Sequence, residues 1–448
     1  MLGVTSLPIG RPLPLYASMM AERCKTGRLV IYAGAGLSFA EPTALPGGGA
    51  LARMLHKKLA TSVPVLGSCD EDDLVGIFDV VDQQPNGRQA IRLSTVGLAE
   101  FTSADPGLGH RLLSMLLLEG AVEVFTTNWD TCIERGSATE RISAVLKEED
   151  LLGINERCLL KVHGCASVPD SLLAASDELE TPPTWVTDHV RARLSAAVVV
   201  FVGIGDIAGY VRNRIEEALD ATGGVTNVHV VSPGIRTEWD DTQWSKLAPG
   251  LTMDNRLAET ADDFLDHLAA GYLMTALDDL AQNLAFDGST KTYLQRAIDG
   301  MKRGDAETLL GWIRGSVVAP ERGASALKTT AFAELLVGLG RLCNVSFEVQ
   351  RDQTVEVDGT RYVALISTGQ LSQQRLVREA RNRLKKMVER GVDLQDHPTF
   401  LTAGGIGIRP ASGGLPDSIL DFVDPESVID GPMSVEPKIV DIKELLAS

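Results

Sequence analysis

The 448-residue sequence is short of cysteine, of basic charge and of long apolar runs, and each shortage removes a class of protein. Its six cysteines, Cys24, Cys69, Cys132, Cys158, Cys165 and Cys343, form no C-x-x-C pair and no spacing of a zinc site or disulfide framework. Reduced thiols in a cytoplasmic protein are therefore expected. Lys and Arg number 42 against 60 Asp and Glu, a formal net charge of -18. That balance excludes a surface that grips nucleic acid through general electrostatics, so any nucleic-acid contact is expected to be local or indirect. The longest apolar stretch, Ala196 to Ile204, is far shorter than the roughly 20 residues needed to span a bilayer. Met1 to Ser18 carries three prolines and a single basic residue, Arg11, and lacks the charged start and apolar run of a secretion signal. No membrane partner is expected, and no internal repeat or low-complexity run stands out.

What is present is an ordinary globular composition, 44% hydrophobic and 23% charged, in a chain long enough for two or three domains. Leu29 to Tyr32 reads as a buried strand running into the turn Gly34-Ala35-Gly36-Leu37-Ser38. Small residues at a strand end let backbone N–H groups approach an anion closely, so the turn points to a nucleotide phosphate, though glycines there also serve a tight turn. Helices are predicted at Ala50 to Leu59, Asp70 to Val81, Arg88 to Phe101 and Gly109 to Leu118. Strands are predicted at Val122 to Phe125, Leu159 to Val162, Ala197 to Val202 and Asn227 to Val231, with helices at Thr184 to Leu194, Ile207 to Leu219 and Ala261 to Leu284. Apolar strands alternating with helices predict an α/β fold with a doubly wound, Rossmann-like parallel sheet. Ligands bind such sheets beyond the carboxyl ends of the strands. Gly34 to Ser38, Thr127 to Asp130, His163, Gly203 to Asp206 and Ser232 all fall at those ends and should converge.

Phe39 stands where a hydride-transferring dinucleotide fold needs its third glycine, which disfavours a dehydrogenase. Taken together, Gly34-Ala35-Gly36-Leu37-Ser38, Thr127-Asn128-Trp129-Asp130 and Lys161-Val162-His163-Gly164 resemble, in order and spacing, the NAD-binding core of sirtuins over about residues 20 to 285. The resemblance implies roles for individual residues. Gly34, Ala35, Gly36 and Ser38 would line the phosphate end of NAD, Asn128 and Asp130 would face the nicotinamide ribose, and His163 would be the general base. Gly203 and Gly205, with Asp206 after them, match a later ribose-binding loop, and Ser232 would hold the adenosine ribose. Each also has a structural reading: His163 as a strand-end histidine, Asn128 and Asp206 as helix caps. His110, in an apolar helix, is read as structural.

The four-cysteine zinc module of protein-deacylating sirtuins is missing, so no zinc is expected. Gly47-Gly48-Gly49 replaces their acidic, aromatic and basic closing run. The chain thereby looks more like bacterial sirtuin-like proteins of anti-phage defence, which hydrolyse NAD to nicotinamide and ADP-ribose. NAD is then a substrate, with Asn128 and His163 catalytic. Competing readings are an NAD-dependent deacylase or ADP-ribosyltransferase, and a non-enzymatic sensor of NAD or ADP-ribose. A toxic hydrolase needs control, which implies a homo-oligomer and a protein partner such as a hexameric translocase-type ATPase.

Residues 1–285 are expected to form the sirtuin-like domain and 286–448 a C-terminal α+β domain for assembly or partner binding. In the latter, helices are predicted near Tyr293 to Met301, Ala306 to Ile313, Leu327 to Leu342 and Leu371 to Arg390. A hairpin is predicted from Thr354 to Val357 and Arg361 to Ile366, turning at Asp358-Gly359, then a glycine- and proline-rich loop from Ala403 to Pro416. Helix Leu371 to Arg390 is basic in an acidic protein, a solvated face or a dock for an acidic partner or nucleic acid.

Overall fold

The computed structural model describes residues 13–25, 29–97, 100–137, 142–151, 158–204, 215–216, 228–233, 244 and 255–284. Beyond these it describes 288–289, 292–293, 296, 307, 340–341, 345–349, 354–357, 359–366, 399–403 and 438–441. The chain forms two compact units, one of residues 1–118 and 122–266, the other of 119–121 and 267–448.

The first unit is built on a seven-stranded sheet. Its strands are β1 (Leu29–Ala33), β2 (Glu123–Thr126), β3 (Ala144–Val145), β4 (Leu159–Lys161), β5 (Val198–Val202), β6 (Val228–Val231) and β7 (Arg256–Leu257). They lie in the order β3-β4-β2-β1-β5-β6-β7, and every pairing is parallel. All five residues of β1 and all five of β5 are buried, as strands covered on both faces must be. Val30, Tyr32, Phe125, Leu160, Val199, Phe201 and Val230 share one face, packed against Val186 and Val190 of a helix at Thr184–Ala196. On the opposite face Tyr16, from α1 (Leu13–Lys25), makes edge-on ring contacts with His229 of β6 and with Phe264.

Between β1 and β2 the chain inserts α2 (Gly48–Leu59), α3 (Leu74–Asp82), α4 (Gly87–Gly97) and α5 (Leu108–Leu118). Leu51, Leu55, Ile77, Phe78 and Ile91 of this insert form a second core with Phe101, Trp129 and Leu172. This core lies at the carboxyl ends of the strands and supplies one wall of a cleft there. Further helices with described bounds are α6 (Cys132–Arg135), α7 (Glu148–Leu151), α8 (Ser176–Glu180), α9 (Thr184–Ala196) and α10 (Ala261–Leu284).

Predicted and observed elements agree in kind, with shifted ends. The helix expected from Asp70 starts at Leu74, because 70–73 form turns in which the Asp70 side chain accepts the Asp72 N–H at 3.0 Å. The helix expected to reach Phe101 ends at Gly97, and Glu100–Thr102 is a separate 3-10 turn. Strands β3 and β7, two residues each, and helix α1 carry no pattern that predicted them. Of Ile207 to Leu219, Ile215 and Glu216 are described and helical.

In the second unit the described strands are β8 (Phe347–Val349), β9 (Thr354–Val357), β10 (Thr360–Ile366), β11 (Thr399–Ala403) and β12 (Lys438–Asp441). They form a mixed sheet in the order β12-β11-β10-β9-β8. The predicted hairpin is β9–β10, antiparallel, with Gly359 at φ +76° in its turn. Most of the helices predicted here, the basic Leu371 to Arg390 included, and most of the Ala403 to Pro416 loop lie outside the described residues. No helix among the described residues is long and apolar enough to cross a membrane.

Candidate functional site

A cleft of about 710 Å³ opens at the carboxyl ends of β1, β2, β4, β5 and β6, within the range of small-ligand sites. Gly34, Ala35, Gly36, Ser38, Asn128, Asp130, His163, Gly203 and Ser232 all line it. The structure therefore brings together every predicted site residue that it describes; Gly205 and Asp206 lie outside the described residues. The apolar wall holds Leu45, Leu51, Leu74, Phe101 and Trp129.

The glycine turn is built for close packing of two loops. The Gly34 N–H donates to the Val202 carbonyl at 2.9 Å and the Gly36 N–H to the Gly203 carbonyl at 2.7 Å. A Cβ on Gly34 would lie 2.4 Å from Ile204 Cγ1, and one on Gly36 2.7 Å from the Gly203 oxygen. These two N–H groups are thus engaged by the last residue of β5 and the first of the loop after it, which differs from the expectation that they face an anion. Ala35, at the turn's crest, is exposed and lines the cleft beside Gly34, Gly36 and Ser38. Phe39, 58% exposed, also lines the cleft, and Gly47 leaves room for its ring.

Behind the turn lies a buried polar network whose proton directions follow from its donors. The Asn128 side-chain nitrogen donates to the Gly34 carbonyl and to Ser38 Oγ, both at 3.1 Å. A carbonyl only accepts, so this orientation of the amide is fixed and Oδ1 points away from it. Asn128 Oδ1 is buried and has no hydrogen-bond partner. The Gly107 N–H donates to His110 Nδ1 at 3.1 Å, which puts the imidazole proton on Nε2, 3.2 Å from Ser38 Oγ. Ser38 accepts from His110 and Asn128 and donates its own proton to Asp130 Oδ2 at 2.9 Å. Asp130 Oδ1 accepts the Cys132 N–H at 3.0 Å. Ser38, buried to 3% exposure, and both oxygens of Asp130 are therefore engaged within the protein and hold Asn128 in place.

The sequence marks His110 as a structural histidine and carries no sign of the polar network around it. One histidine in an apolar helix gives no sign that the topology will set it 72 positions from its partner Ser38. Burial pushes its pKa below the ordinary 6.5, against the opposing pull of Asp130 and Asp262. The unfolded chain therefore binds a proton that the folded chain does not. The associated stability is complete above the ordinary value and is lost as pH falls below it towards the depressed one. Unfolding free energy should fall as pH drops through the ordinary value of 6.5 towards the depressed one, and His110→Gln should flatten that dependence in denaturant titrations.

His163 follows β4 and lines the cleft, half-buried. Its carbonyl accepts the Leu173 N–H at 3.0 Å, and the chain then reverses at Gly164, φ +82°. A Cβ at Gly164 would lie 1.9 Å from the Ser171 carbonyl oxygen, so the glycine is required. Gly164→Ala is expected to cost more than about 1 kcal/mol of stability and to displace His163, measurable by chemical unfolding. Under this turn Lys161 Nζ pairs with Glu134 Oε1 at 3.1 Å and donates to the Asp130 carbonyl. Burial opposes the ammonium, but Glu134, Cys165 and Asp130 together hold the Lys161 pKa above the ordinary lysine value.

No curated protein matches this chain in sequence. A family model described as a SIR2-like domain matches residues 122–247, the span that carries β2, β4, β5 and β6 with Asn128, Asp130, His163, Gly203 and Ser232. This part of the chain is accordingly identified as a SIR2-like domain, and the parallel α/β sheet that it carries agrees with that match.

Proposed function

We propose that the protein is an NAD hydrolase that cleaves the nicotinamide glycosidic bond to give nicotinamide and ADP-ribose. The observation that carries this reading is Asn128, a residue of the cleft wall: its amide nitrogen is clamped from two sides, and its buried Oδ1 has no partner within the protein. An unpartnered acceptor on a fixed amide can orient a ribose hydroxyl or an attacking water that gains access to it. As the C–N bond breaks, its electron pair leaves with nicotinamide and the sugar carbon becomes oxocarbenium-like, as in glycoside hydrolysis. Water adds to that carbon, and His163, at the cleft wall, takes the water's proton.

In this reading Asp130, Ser38 and His110 position Asn128, while Ala35, Gly203 and Ser232 bound the remainder of the dinucleotide. Residues 1–285 are the hydrolase domain and 286–448 the assembly or partner-binding domain. A hydrolase that depletes NAD must be restrained, so the cellular role proposed is that of an anti-phage defence effector activated by oligomerisation or by a protein partner. The test is incubation of the full-length protein with NAD, with products identified by chromatography and mass spectrometry, at several protein concentrations. Release of nicotinamide and ADP-ribose in equal amounts supports the reading. Turnover that needs an acylated peptide would replace it by deacylation.

A further inference from the structure

The opposite ends of β2 and β4 hold a second polar cluster, separate from the cleft. Glu123 opens β2 and Cys158 immediately precedes β4; since Val124 pairs with Leu159, the two side chains lie side by side on one face of the parallel ladder. His189 reaches them from the middle of α9, its ring also packed on Phe125 at 5.7 Å. His189 Nε2 lies 3.0 Å and Cys158 Sγ 3.4 Å from the same oxygen, Glu123 Oε1, and the three atoms all fall within 4.8 Å of one another.

We propose that Glu123, Cys158 and His189 form a zinc-binding site. Bonds of about 2.0 Å to oxygen and nitrogen and about 2.3 Å to sulfur at tetrahedral angles set ligand atoms roughly 3.3–3.6 Å apart. The oxygen–nitrogen and oxygen–sulfur separations of 3.0 and 3.4 Å are within a few tenths of an ångström of that range, and the nitrogen–sulfur pair lies within 4.8 Å, so side-chain movements close the set around the ion. One thiolate, one imidazole and one carboxylate make a borderline-soft donor set that suits zinc better than magnesium or calcium. Binding displaces the Cys158 thiol proton to solvent, and the proton that His189 Nε2 donates to Glu123 Oε1 is exchanged through solvent for one on Nδ1, which frees the Nε2 lone pair for the ion. The charges then cancel: two positive on the ion against one each on Glu123 and Cys158. Arg193, whose Nε lies 2.7 Å from Glu123 Oε2, leaves Oε1 to the ion and orients the carboxylate from outside. His189 is 17% exposed, which gives the ion a route in and a solvent molecule as the fourth ligand. This site has no relation to a four-cysteine module, and it ties α9 to the two strands whose other ends carry Asn128 and His163.

The test uses the full-length protein stripped with a chelator and titrated with Co²⁺ alone, then with Zn²⁺ as competitor. One equivalent of cobalt should give a thiolate charge-transfer band and the intense visible bands of a tetrahedral ion, both removed by zinc. Cys158→Ser should abolish the charge-transfer band, and His189→Gln should weaken binding at least about tenfold. Cys132→Ser, in the buried His110–Asp130–Cys132 group, should leave the band unchanged. Zinc should raise the unfolding midpoint of the wild type and not of His189→Gln, a variant near the surface that tests the site should Cys158→Ser fail to fold. Absence of the band at saturating cobalt, its survival in Cys158→Ser, or an equal zinc-induced shift in His189→Gln would overturn the proposal.

Discussion

Replacing Asn128 by alanine in the full-length protein is expected to slow nicotinamide release about 10²–10³-fold, the usual cost of removing one oriented group from a pre-organised site. The loss should fall mainly on kcat, because Asn128 occupies one point of a cleft of about 710 Å³ and the other walls still hold substrate. Asn128→Asp sharpens the test. The aspartate keeps an acceptor at the Oδ1 position but sets a carboxylate oxygen against the Gly34 carbonyl, which the native amide faces as a donor at 3.1 Å. If the clamp matters, Asn128→Asp is as inactive as the alanine variant; if only an acceptor matters, it retains activity. The amide's two buried hydrogen bonds are together worth about 1–3 kcal/mol, so both variants need their unfolding midpoints measured beside their rates. Wild-type turnover in a folded Asn128→Ala protein would remove Asn128 from the mechanism and with it the observation on which the hydrolase reading stands.

The parallel sheet was legible because its strands are apolar on both faces, and β1 and β5 lie at the centre of the order found. Convergence of the clusters was legible for the same reason, since strand ends in a parallel sheet share one edge. What the turn at 34–38 does was not. From sequence, its glycines expose N–H groups; in the fold, Gly34 and Gly36 give those groups to the Val202 and Gly203 carbonyls. The partner loop lies more than 160 positions later, and no local pattern carries such a pairing. Ser38 shows the same limit. It stands at the edge of the glycine turn, yet its hydroxyl is surrounded by Asn128, Asp130 and His110, three residues from two other segments. The short edge strands β3 and β7 went unseen because two residues carry no alternation to read. Lys161 was in view as part of Lys161-Val162-His163-Gly164, but a lysine ending a strand reads as solvent-facing until a buried Glu134 is set beside it.

That ion pair leads to the largest expected loss of stability. Lys161→Met should destabilise the protein by about 3–5 kcal/mol, the range for breaking a buried pair by removal of one partner. The magnitude comes from what is left behind more than from what is removed. Glu134 has 6% side-chain exposure, and its other oxygen, Oε2, has no hydrogen-bond partner, so without the ammonium its charge is buried uncompensated. The Asp130 carbonyl loses its donor at the same time, and with it the side-chain tie between β4 and the loop that carries Asn128 and Asp130. Removing both charges separates these causes. In Lys161→Met/Glu134→Gln no charge is stranded, and the double variant should recover more than half of the single variant's loss, a coupling read by denaturant titration as a double-mutant cycle. If Lys161 serves the fold alone, recovered stability brings recovered turnover. If its contact with the Asp130 carbonyl also sets the site, the double variant folds but cleaves NAD slowly, because methionine cannot donate to that carbonyl. The strand-end lysine would then be a positioning residue for Asn128, acting through the backbone two residues beyond it.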